Sequence, residues 1–74
     1  MDLRRVVASN LLRLRRAKGL SQEELAHRAK INRGYVSTLE NSQTYVGLEI
    51  LGRLADIFDV DAAEMLKKPP KRAK

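Results

Sequence analysis

The sequence predicts an all-α fold, a compact domain of five short helices. Three observations carry that prediction. Apolar residues recur at helical spacing along most of the chain, residues with capping chemistry stand at the starts of those runs, and no segment alternates apolar with polar residues as a half-buried strand would. Taken in order, Leu3, Val7, Leu11 and Leu14 fall on one helical face. Lys18-Gly19 closes that helix, because glycine accepts the left-handed backbone needed just past a helix end. Ser21 is the N-cap of the second helix: its hydroxyl can accept from a free backbone N–H, and Glu24 completes a capping box. Leu25, Ala26 and Ala29 supply that helix's apolar side. Asn32 opens a third helix that runs through Val36 and Leu39 to about Asn41. The segment from Ser42 to Gly47 reads as a loop. Leu48, Leu51, Leu54, Ala55 and Phe58 give a fourth amphipathic helix, and Asp61 caps a short fifth one containing Ala62, Met65 and Leu66. Pro69-Pro70 ends it. Residues 1–67 therefore form one domain, and 68–74 a basic, disordered tail with too little apolar content to pack.

Charge is unevenly distributed. The 74 residues carry 15 Lys+Arg against 9 Asp+Glu, a formal +6. Nine of the basic side chains and three of the acidic ones lie before residue 34, whereas residues 34–66 hold one basic and six acidic. The tail supplies most of the remaining excess. A basic first half suggests an anionic partner, nucleic acid first, but charge alone says nothing of fold.

Several classes are excluded or disfavoured. No run approaches the roughly 18–20 apolar residues of a membrane span. Met1-Asp2-Leu3-Arg4-Arg5 lacks the apolar stretch of a signal peptide, and cysteine is absent, so a cytoplasmic location is expected. His27 is the single histidine and has no partners at metal-ligand spacing. Gly19, Gly34, Gly47 and Gly52 form no phosphate-cradling loop. No catalytic residue can be named, and no cofactor, metal or small-molecule ligand is expected.

The informative stretch runs from Gln22 to Leu39, QEELAHRAKINRGYVSTL. Two short helices are joined by a very short turn. Ala26 is small where they approach, and Leu25, Ala29, Ile31, Val36 and Leu39 make a shared core. This stretch resembles the helix-turn-helix of the Cro/phage-repressor (XRE-like) family. The resemblance extends over residues 8–67: Leu14-Arg15, Gly19-Leu20-Ser21-Gln22, Glu23-Glu24-Leu25-Ala26, Leu39-Glu40-Asn41, Leu51, Leu54-Ala55 and Phe58-Asp59-Val60 match in register. Arg33-Gly34-Tyr35-Val36-Ser37 further resembles the restriction–modification controller branch. Three positions depart from the pattern. Lys30 stands in the turn where the family usually has glycine, Ser42 where glycine often follows the third helix, and Val46-Gly47 where Pro-Ser/Thr often opens the fourth.

The resemblance implies a lambda-repressor-like fold with the helix-turn-helix at helices two and three. It implies a sequence-specific transcriptional regulator that places its third helix, about 32–41, in the major groove of a palindromic operator on double-stranded DNA. Arg33 is the expected reader of guanine, since a guanidinium can bond O6 and N7 together. Asn32, Gly34, Ser37 and Thr38 share its face as base-contact candidates. Gln22, Tyr35, Asn41, Ser42, Gln43 and Thr44 are candidates for phosphate contact. Arg15 and Glu40 are expected to form an internal salt bridge that orients the third helix. A homodimer is expected, and Ile50, Ile57 and Met65 could form its apolar patch. Two other readings stay open: a protein-interaction module, such as a coactivator-like bridging factor or an antitoxin, and a nucleoid-type DNA binder with little sequence preference.

Overall fold

A computed structural model describes residues 1–68; the tail assigned to 68–74 falls almost wholly outside the described residues. Four α-helices and a 3-10 turn follow one another: α1 (Leu3–Ala17), α2 (Gln22–Ala29), α3 (Arg33–Glu40), α4 (Leu48–Phe58) and the turn Ala62–Leu66. The expected fifth α-helix is that 3-10 turn. With five residues it has no room for a repeating α ladder, and it closes instead with an i to i+3 bond from the Glu64 N–H to the Asp61 carbonyl, 2.9 Å. No strand occurs among the described residues.

The helix starts use the anticipated chemistry. Ser21 accepts from the Glu24 N–H (3.0 Å) while Glu24 accepts from the Ser21 N–H (2.8 Å), a complete capping box. Those bonds, the Ser21 backbone N–H first, hold the Glu24 carboxyl below the usual glutamate range. Asn32 caps α3, and Asp2 caps α1 through the Arg4 N–H at 3.0 Å.

All four helices end alike. A residue two or three past each helix donates back to the carbonyl five positions earlier: Leu20 to Arg15, Ile31 to Ala26, Gln43 to Thr38 and Val60 to Ala55. This closure puts the residue between in the left-handed region. Gly19 (φ 72°) does so freely, but Lys30 (58°), Ser42 (60°) and Asp59 (58°) do so with a Cβ in place. The turn of the helix-turn-helix thus keeps its shape although a lysine stands at its left-handed position.

One core joins all five elements. Leu11, Leu25, Val36, Leu39, Leu54 and Met65 are its fully buried side chains, with Leu20, Leu51 and Phe58 around them. α2 packs on α3 and α4, α1 packs on α3, and the 3-10 turn fills the corner between α1 and α4. Ala26, Ala29 and Ala55 keep the helices close. Met65 is wholly inside this core, so it is removed from the dimer patch proposed above. Ile50 and Ile57 are half-buried and pack on the same core, widening its face. Leu3 and Leu48, counted with the core by periodicity, lie at the surface instead because each opens a helix at the edge of the body.

Asn10 is the one buried polar side chain among the described residues. Its Nδ2 donates to the carbonyls of Met65 (2.9 Å) and Lys67 (2.7 Å), and its Oδ1 accepts from Arg13 Nη2 (3.0 Å). A single amide therefore ties α1 to the end of the domain.

Two substitutions test this account. Lys30→Gly relieves the left-handed strain, partly offset by the greater freedom of unfolded glycine. It should raise the unfolding free energy by about 0.5–1 kcal/mol in urea titration, and an unchanged or lower midpoint would disprove the strain. Asn10→Ala strips two carbonyls of their donor and should cost about 2–3 kcal/mol; a loss below about 0.5 kcal/mol would show that the turn holds without it.

Candidate nucleic-acid interface

The proposed reading helix is positioned from behind by a nearly dry ion pair. Arg15 on α1 donates from Nε to Glu40 Oε2 (2.6 Å) and from Nη2 to Oε1 (3.1 Å), and its Nη1 donates to the Leu20 carbonyl (2.8 Å). The side chains retain 13% and 6% of their exposure. Gln22, at the first position of α2, completes the set by donating from Nε2 to Glu40 Oε1 at 2.9 Å. Glu40 at the end of α3 is thereby held from α1 and α2 together. Three donors reach its two oxygens, compensating a carboxylate largely taken out of water.

At the other end of α3, Asn32 Oδ1 accepts from the Gly34 N–H at 2.6 Å. The cap constrains both partners. A Cβ at residue 34 would lie 2.9 Å from Asn32 Oδ1, so glycine suits the tight cap as well as a close approach to DNA. Asn32 has committed its carbonyl oxygen to the cap. The second lone pair of that oxygen and the Nδ2 hydrogens remain for a base edge.

Arg33 differs from both neighbours. It is exposed and enters none of the ion pairs among the described residues. No acidic residue occupies the first turn of α3, so the positive end of the helix dipole and the guanidinium present one sign together. Ser37 and Thr38 are half-buried one turn further on. The Thr38 hydroxyl donates to the Gly34 carbonyl (2.8 Å), leaving its oxygen and methyl group for any base contact. Tyr35 packs its ring against the core.

The phosphate-contact candidates divide. Asn41 and Gln43 are exposed, whereas Ser42 and Thr44 are half-buried. Asn41 and Ser42 line a polar cleft with Arg5 and Ser9 of α1, residues that sequence patterning left out because nothing local marks them. At α2, Glu23 and Glu24 stand in the first turn beside Gln22, and the capping box uses the Ser21 and Glu24 N–H groups. The N–H groups of Gln22 and Glu23 are left without an intrahelical partner, so any phosphate here meets fewer donors and nearby negative charge. Among the described residues no group of side chains could hold a metal ion, and no helix is long and apolar enough to cross a membrane.

Comparison with known proteins adds the family. Residues 11–65 match the family model described as helix-turn-helix. The HTH-type transcriptional regulator y4dJ of Sinorhizobium fredii is 39% identical over 66 residues, which cover 89% of this chain and 86% of that protein. The crystal structure of the Neisseria hypothetical transcription factor NHTF superposes with a TM-score of 0.87 at 38% identity, covering 92% of this chain and 78% of the other. That of the restriction-modification controller protein C.AhdI from Aeromonas hydrophila gives 0.79 at 37% identity, covering 84% and 94%.

Removing one member of the Glu40 set should expose its cost. Glu40→Ala leaves Arg15 charged and unpaired where water is scarce, and should destabilise by about 3–5 kcal/mol. In a domain of this size the thermal midpoint then falls by more than about 10 °C. A midpoint unchanged within error would refute the orienting role.

Proposed function

The chain belongs to the helix-turn-helix family of DNA-binding transcriptional regulators, and from that we infer that it is a sequence-specific regulator binding a palindromic operator as a homodimer. The observation that carries this reading is Arg33: a free guanidinium on the first turn of a helix whose opposite end is fixed by Glu40. A major groove about 12 Å wide accepts such a helix, N-terminal residues leading. Arg33 then reads a guanine through O6 and N7, and Ser37 and Thr38 contact bases one turn deeper. Gly34 allows the backbone close to the base edges. Asn41, Gln43 and the polar cleft of Arg5, Ser9 and Ser42 lie along the flanking phosphates, which set register without reading sequence.

Two-fold pairing follows from the size of the reader. One short helix reads only a half-site, and two half-sites one helical turn apart supply the affinity that a single domain lacks. The likeness to a restriction-modification controller protein and to HTH-type regulators supports a role in controlling transcription.

Selection from random duplex DNA, repeated at two salt concentrations, tests the reading. An enriched two-fold symmetric motif is the expected result; no enrichment would refute specific recognition. On the selected operator, Arg33→Ala should cost about 1–3 kcal/mol and relax preference at one base pair per half-site. An equal loss on every sequence would instead identify a non-specific binder, and no loss would favour a protein-interaction module.

A further inference from the structure

Val36 and Leu39 turn one side of α3 into the core, so the helical period sets Gly34, Ser37, Thr38 and Asn41 on the opposite side. Polar atoms on this outward face are turned back on the helix itself. The Thr38 hydroxyl donates to the Gly34 carbonyl at 2.8 Å, and Asn32 Oδ1 accepts from the Gly34 N–H at 2.6 Å. Asn41 Nδ2 lies 3.5 Å from Ser37 Oγ.

Thr38 therefore has little left to donate. A hydroxyl whose hydrogen goes to the carbonyl one turn earlier cannot give it to a base without breaking that bond. The group that remains is the γ-methyl, and a branched, half-buried side chain holds it with little rotamer freedom. Beside it the helix is bare. Gly34 stands one turn before Thr38, and the space its Cβ would take is open on every side but that of Asn32, the one neighbour within 4 Å. Thr38 and Asn32 thus flank a stretch of uncovered backbone next to an apolar methyl. In the major groove, base edges present donors and acceptors, and their one large apolar feature is the C5-methyl of thymine.

We propose that Thr38, with the gap at Gly34, is a specificity-determining site for the C5-methyl group of a pyrimidine. It rests on the DNA-binding reading above and adds a second letter to the guanine assigned to Arg33. Five residues of helix separate the two side chains by about 7.5 Å along the axis, so they meet different base pairs. Thymine and 5-methylcytosine both present this methyl at the same place on the groove edge. The competing contact, an adenine amino group donating to the Thr38 oxygen, needs the hydroxyl and not the methyl.

Operator duplexes from the selection described above separate these contacts. Each thymine in turn is replaced by deoxyuridine, which lacks only the C5-methyl, and binding is followed by fluorescence anisotropy. For the wild type, one position per half-site should lose about fourfold in affinity, the value of one buried methyl group. Thr38→Ser keeps the hydroxyl and should bind the thymine and uracil duplexes equally at that position. Thr38→Val keeps a methyl and should retain the wild-type preference. Both changes lie on the outward face, and circular dichroism verifies the fold. No uracil-sensitive position, or the same sensitivity in Thr38→Ser as in the wild type, overturns the assignment. A preference lost in Thr38→Val and kept in Thr38→Ser would overturn it in favour of the hydroxyl. Placing 5-methylcytosine or cytosine opposite guanine at the same position distinguishes the sources of the methyl. Tightest binding to thymine identifies ordinary DNA, and tightest binding to 5-methylcytosine identifies methylated DNA. Failure of the two readings looks different: no enriched motif sinks operator recognition and this site with it, whereas an enriched motif without uracil sensitivity sinks this site alone.

Discussion

A carboxylate with almost no access to water sets the geometry of the domain. Glu40 accepts two bonds from Arg15 and one from Gln22, so three helices meet at one residue. Such a pair adds little net stability compared with apolar packing, since the desolvation of both ions offsets most of their attraction. Its contribution is directional. Bonds to a carboxylate tolerate little misalignment, and they reach α3 at its last turn, where a small rotation would swing the opposite end through the largest arc. The apolar contacts of Val36 and Leu39 bury one face of α3, and the polar contacts tie its last residue to α1 and α2.

A chain this short has few ways to stay folded, and it repeats the economical ones. A small domain buries a smaller share of its surface than a large one, so unsatisfied helix ends would be costly. Each helix start is an extended residue and each α-helix end is the same left-handed closure. Three of the four closures proceed without glycine, which stores strain at Lys30, Ser42 and Asp59. Lys30 lies in the turn between α2 and α3 and Ser42 directly after α3, so two of these strained residues bracket the helix proposed to read DNA. Fixed turns at both ends of a short helix leave it few alternative orientations.

Local signals were legible in the sequence and long-range ones were not. Ser21, Glu24 and Asn32 announce their caps because their partners lie within three residues. The core stripes of α2, α3 and most of α4 follow from period alone. The Arg15–Glu40 pair came into view only through the family resemblance, since nothing in spacing links residues 25 apart. Asn10 gave no sign at all. It stands on the same helical face as Val7 and Leu14 without an apolar side chain to mark it, and its partners lie 55 and 57 residues away. Leu48 misleads for another reason: helical period assigns a face but not an end, and a first-turn leucine on the core stripe can still project past the body. Met65 was misplaced the opposite way, because a five-residue turn has too little periodicity to say which side faces in.

These long-range features connect. Asn10 brings the end of the domain back to α1, and that closure carries Met65 into the core and Leu66 onto the surface. One amide thus sets both residues with the same two bonds. Charge divides the molecule in a matching way. The formal +6 belongs largely to the tail and to the half before residue 34, whereas residues 34–66 hold six acidic side chains and one basic. A basic first half and an acidic second half leave the positive potential on the side of the molecule that carries α1, α2 and the start of α3.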